Sequence, residues 1–109
     1  MAIPHISPGQ VLDLRPLGAG LHEAKTVALF KSEHLELIRL VLLAGKSLPP
    51  HKVAGDITIQ CIEGAITVSL EADECLLRAG QMLYLAGKAL HGVHALEDSS
   101  ALLTIALIK

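Results

Sequence analysis

The feature that most constrains this chain is the even recurrence of turn-forming residues. Breaks fall at Pro16 to Gly20, Lys31 to Glu33, Gly45 to Pro50, Glu63-Gly64, Ala72-Asp73, Ala79-Gly80, Gly87-Lys88 and Asp98 to Ser100. Between them lie short segments rich in Val, Ile, Leu and Thr, and none sustains the 3.6-residue period of an amphipathic helix. Short strands at this spacing pack as an antiparallel sandwich or barrel. The pattern predicts strands over residues 11–14, 26–31, 35–43, 57–62, 65–71, 74–77, 82–85, 90–96 and 101–108, and hence an all-β fold.

A chain of 109 residues holds one such unit, because a second core needs ~50 residues of its own. The expected division is an N-terminal arm or edge strand over 1–25 and a barrel over 26–109. Apolar residues make up 51% of the chain, enough for a large core. Nine basic and eleven acidic residues are spread without runs, so there is no electrostatic footprint for a phosphate backbone or an anionic membrane. Phe30 and Tyr84 are the only aromatics, which removes the stacking platforms of single-strand binders. The longest apolar stretches, near Leu40 to Ala44 and Ala101 to Leu103, fall far short of the ~20 residues of a membrane span. The opening Met1-Ala2-Ile3-Pro4-His5 lacks a charged segment followed by an apolar one, so the expected compartment is the cytoplasm, with Cys61 and Cys75 as free thiols.

Glu63-Gly64 reads as a two-residue hairpin turn, with glycine free to take positive φ. That turn sets Cys61 opposite Ile66, Ile59 opposite Val68 and Ile57 opposite Leu70, all on one apolar face. The other face carries Thr58, Gln60, Thr67, Ser69 and Glu71. In the 35–43 segment apolar residues occupy both faces, interrupted only by Glu36 and Arg39. A lone barrel strand has a wet side, so this excess, with that of 101–108, predicts either a homodimer packed sheet to sheet or cover from the chain's own N-terminal segment.

Gly45 is followed after five residues by His51, and the segment runs on through Val53, Asp56, Ile57 and Cys61 to Gly64. It resembles the first cupin motif: Gly, five residues, His-x-His, three or four residues, Glu, six residues, Gly. Val53 stands where the second His belongs and Ile57 where the Glu belongs. The segment from Gly80 to Ala95 resembles the second motif, with Gly80 and His91 matching and Ala86, Lys88 and Ala95 in place of its Pro, Gly and Asn. The resemblance spans about residues 35–108 and implies a jelly-roll β-barrel of two antiparallel sheets.

In a full cupin, three His and one Glu hold a divalent metal, such as Fe, Mn, Ni or Zn, inside the barrel. Here only His51 and His91 survive, and two imidazoles alone do not fix a transition-metal geometry. Cys61 shares the inward face but lies four residues beyond Ile57, ~13 Å along a strand. His94, three residues from His91, and Gln60 point to the opposite face, and Asp56 reaches the interior only through a bulge. His5, His22 and His34 are peripheral. The resemblance therefore implies a pocket for a compact organic ligand, with His51 and His91 as polar anchors among Val53, Ile57, Ile59, Cys61, Ile66 and Val68. Tyr84 joins the candidates because some sugar-nucleotide epimerases of the superfamily pair a His base with a Tyr acid without metal. Two competing readings are a metal-dependent dioxygenase, isomerase or decarboxylase using His51 and His91, and a structural or dimerising domain.

Overall fold

A computed structural model describes residues 6–108; His5, with the rest of residues 1–5, and Lys109 lie outside it. A 3-10 helix (Gly18–Glu23) precedes nine strands: β1 (Val27–Lys31), β2 (Leu35–Leu42), β3 (Ser47–His51), β4 (Ile57–Glu63), β5 (Ala65–Ser69), β6 (Glu74–Arg78), β7 (Met82–Leu85), β8 (His91–Ala95) and β9 (Ser99–Ala106). All pairings are antiparallel. They form a five-stranded sheet of order β1-β2-β9-β4-β7 and a four-stranded sheet of order β3-β8-β5-β6. The sheets remain separate and sandwich the core, a jelly roll rather than a closed barrel. Among the described residues, no helix is long and apolar enough to cross a membrane.

The core follows the period-2 alternation of the strands. Ile57, Ile59 and Cys61 of β4 meet Ile66 and Val68 of β5, Leu77 of β6, Val93 of β8 and Leu103 of β9. Ile59, Cys61 and Val68 retain no solvent exposure. Both cysteines are free, and burial pushes the Cys61 thiol above its ordinary range.

Three expectations need correction. The segment 11–14 is not a strand: Val11 projects into solvent, and the Asp13 carboxylate instead accepts from the Arg15 amide and guanidinium. Residues 47–51 do form a strand, although Pro49 and Pro50 suggested only a turn. Proline has no N–H to give a ladder, but β3 lies at a sheet edge, where that loss is tolerated. Finally, β4 and β5 are not a hairpin. β4 pairs with β7 and β9, whereas β5 pairs with β6 and β8, so Glu63-Gly64 is the corner at which the chain changes sheets. Gly64 has φ 82°, and a side chain there would run into Asp98 O and Ser99. A corner and a hairpin turn preserve the same alternation, so the predicted inward set survives while the predicted partners do not.

The outward side of β2 shows what the N-terminal arm does. Arg39, only 6% exposed, donates from Nη2 to the Arg15 carbonyl at 2.8 Å and lies 3.4 Å from the Glu63 carboxylate. Glu63 accepts in turn from the Leu17 amide (2.9 Å), the Gly18 amide (3.0 Å) and Ser100 Oγ. Burial acts to raise the Glu63 carboxyl, but these bonds and Arg39 outweigh it and hold the group below its ordinary range. One carboxylate thus ties the arm to the five-stranded sheet, and cover from the chain's own N-terminal segment is realised at Arg39.

Candidate functional site

Two imidazoles meet at one end of the four-stranded sheet. Ser47 and Leu48 of β3 pair with His94 and Val93 of β8, but the register then shifts, and His51 falls opposite His91. That shift is one extra residue at Pro49-Pro50. Simple alternation from inward Leu48 would send His51 outward; the bulge reverses its direction and sets it on the side of His91. The ring centroids lie 4.6 Å apart with the planes tilted by 49°. His91 is buried at 2% exposure, whereas His51 is exposed, so the pair runs from the edge of the core to solvent.

Each ring is oriented the same way. His51 Nδ1 lies 3.3 Å from the Pro49 carbonyl, and His91 Nδ1 lies 3.0 Å from the Ala89 carbonyl, in both cases two residues back along the chain. A carbonyl can only accept, so in the neutral rings Nδ1 carries the proton and Nε2 keeps its lone pair. Two backbone carbonyls, one within β3 and one just before β8, thus leave both rings as Nε2 acceptors.

The loops behind the pair are closely fitted. Lys88 N–H donates to Val53 O at 2.8 Å and Gly87 N–H to Asp56 Oδ1 at 2.8 Å, while a side chain at Gly87 would overlap Ala54 O. Lys88, which occupies a glycine position of the second motif, has φ 69°, a left-handed backbone unusual for a residue with a side chain. The other motif glycines, Gly45, Gly64 and Gly80, share positive φ (84°, 82° and 89°). The motif register read from the sequence therefore coincides with the backbone geometry at all four positions.

The remaining candidates separate into groups. Val53 packs against the core, and Ile57 is 3% exposed. Ile59 and Cys61, with Ile66 and Val68, fill the interior against one another rather than line an open cup. Tyr84 is not brought to the histidines: it is 59% exposed on β7, with its hydroxyl 3.4 Å from Asp56 Oδ2. Asp56 is spent on Tyr84 and Gly87. Three clefts at the surface of the described residues are lined by residues other than His51 and His91.

The architecture can be set beside solved structures. A conserved protein of unknown function from Streptococcus pyogenes superposes with TM-score 0.76 at 18% identity, covering 100% of this chain and 96% of that one. A cupin superfamily protein from Desulfitobacterium hafniense gives 0.76 at 14% identity over 90% of this chain and 95% of that one. An RmlC-like cupin from Desulfovibrio desulfuricans gives 0.70 at 23% identity over 94% and 97%. This is the cupin fold. No family model matches the sequence, and no curated protein does.

Cupins as a class imply a metal, and the donor set here does not fit one. Val53 and Ile57 occupy the two positions that would complete the shell, and neither carries a donor atom. Among the described residues, no group of three or more His, Cys, Asp or Glu is placed to hold an ion. Two imidazoles without a carboxylate supply neither a fixed geometry nor charge to offset a dication.

Glu63 is a functional residue that the sequence presents only as part of a turn, yet it organises the arm; the one sequence signal pointing to a partner for it is Arg39 within the largely apolar 35–43 segment.

Proposed function

We propose that this cupin binds a compact organic ligand at the rim of the sandwich, with His51 and His91 as its polar anchors. The observation that supports this reading is the pair of rings 4.6 Å apart, each with Nδ1 against a backbone carbonyl. Neutral rings so held offer two Nε2 acceptors to the hydroxyl or acid proton of one ligand; imidazolium rings would donate to its carboxylate from the same positions. Exposed His51 supplies access and buried His91 supplies a dry, oriented contact. Because the interior is packed, the ligand sits against the ring edges and Val53, not deep between the sheets. Ligand sites combine apolar walls with a few convergent polar groups, and the two imidazoles would be the polar groups of such a site. No chemical step is assigned. The reading places the chain in the cytoplasm as a homodimer, consistent with its free thiols and with the half-buried outward residues Leu37 and Val41 of β2.

The test is a thermal-shift and NMR titration of untagged protein with small hydroxy acids and with Fe, Mn, Ni and Zn salts. A hydroxy acid that raises Tm and shifts the His51 and His91 ring signals, with both effects lost in His51→Ala and His91→Ala, supports the proposal. A stoichiometric metal that depends on the two histidines would instead favour the metal enzyme, and no response to any addition would favour a structural or dimerising domain.

A further inference from the structure

The outward face of the four-stranded sheet carries a second polar site, unrelated to the histidine pair. The registers place Ser47 opposite His94 and His94 opposite Thr67, so three polar side chains stand in one row across β3, β8 and β5. A second row, two residues along, contains Gly92, Ser69 and Glu74 on β8, β5 and β6. Neighbouring strands are ~4.8 Å apart and the rows ~7 Å apart, so these groups form a grid of polar atoms about the size of a sugar ring. Gly92 lets the neighbouring strands close in: a Cβ there would stand 2.8 Å from Ser69 Oγ and 3.1 Å from Leu48 O, so only glycine lets Ser69 Oγ reach the β8 backbone beside the cleft. With Pro49 and Pro50 along one wall, the result is a cleft of about 170 Å³.

Its chemistry selects among ligand classes. Ser47 Oγ and His94 Nδ1 are hydrogen-bonded at 2.6 Å, which fixes the ring and leaves Nε2 without a partner among the described residues. Ser69 Oγ accepts from the Gly92 amide and retains its own proton to donate. Among the described residues, Thr67 Oγ1 and the Glu74 carboxylate make no side-chain hydrogen bond. Among the described residues that line the cleft there is one carboxylate and no lysine or arginine, so the cleft offers an anion no fixed counter-charge. Hydroxyls that both donate and accept, beside one carboxylate, match a ligand bearing several hydroxyls of its own. We infer that this cleft on the outward face of β3, β8, β5 and β6 binds a neutral polyol or monosaccharide-sized sugar through Ser47, Thr67, Ser69, Glu74 and His94.

The experiment is a ¹H–¹⁵N titration with myo-inositol and xylitol, with acetate and phosphate as anionic controls. The expected result is saturable shifts at Thr67, Ser69, Gly92 and His94 with a polyol and none with the anions. Thr67→Val keeps the shape of a side chain whose hydroxyl has no protein partner, and should weaken binding about five- to tenfold through the lost hydrogen bond. Exposed Glu74→Gln gives the same reading should Thr67→Val disturb the fold. Absence of saturable shifts with both polyols, an equal response to acetate or phosphate, or unchanged affinity in Glu74→Gln would overturn the inference. Shifts confined to His51 and His91 would also overturn it, while leaving the rim site standing.

Discussion

Replacing Glu63 with alanine removes one carboxylate and strands four donors at once. The Leu17 and Gly18 amides lose their acceptor, Ser100 Oγ loses its partner, and Arg39 is left as a buried cation. The side chains of Arg39 and Glu63 are 7% and 14% exposed, so solvent can replace little of what is lost. Deleting one member of a buried pair costs about 3 to 5 kcal/mol, and the residual exposure of Glu63 points to the lower end, about 3 kcal/mol. For a domain of this size that is a fall in Tm of roughly 12 to 20 °C. Glu63→Gln keeps the shape and one acceptor oxygen and should lose about 1 to 2 kcal/mol. The pH dependence has a definite sign. The folded carboxyl titrates below its ordinary value of 4.5, so its contribution is complete above that value and is lost as pH falls through the folded pKa. Urea unfolding by circular dichroism from neutral pH down through this range measures both effects, and amide exchange at Leu17 and Gly18 reports the arm directly. A loss under about 1 kcal/mol in Glu63→Ala, or an acid limb unchanged in Glu63→Gln, would refute the reasoning.

Ile59 has no solvent exposure and lies at the centre of the core, so Ile59→Ala should cost about 2 to 5 kcal/mol in the same unfolding assay. The side-chain hydrogen bonds from Arg15 to exposed Asp13 lower its carboxyl to about 2, so the Asp13 carboxyl carbon should keep its ionised NMR shift to well below pH 3.8, and Arg15→Ala should return the midpoint to near that ordinary value. Size-exclusion chromatography with light scattering should give twice the chain mass; a monomer at micromolar concentration would remove the dimer.

The alternation of apolar residues carried most of the fold, because burial on one face of a strand must repeat every second residue whatever the strand pairs with. Ile57, Ile59, Cys61, Ile66 and Val68 were legible for that reason. Strand partners were not: Gly64 permits a hairpin and a sheet corner equally, and the choice rests on Ser99 and Asp98, far along the chain, closing against it. β3 was hidden by its prolines, since edge position, not composition, makes them tolerable. The meeting of His51 and His91 followed from the motif spacing, but the bulge that turns His51 inward left no local mark beyond Pro49-Pro50. Tyr84 could not be placed from sequence because Met82 and Leu83, on the two faces of β7, are both apolar; in the structure Met82 and Tyr84 are exposed and Leu85 is buried.

The proposed function requires that the two imidazoles, each held by a backbone carbonyl, engage one small molecule together. A long-range ¹H–¹⁵N spectrum of histidine-labelled protein measures this directly. It should show His51 and His91 in their neutral state as Nδ1–H tautomers, with both Nε2 signals moving together when a hydroxy acid binds. Nε2–H tautomers at either ring, or Nε2 signals that respond independently, would contradict it.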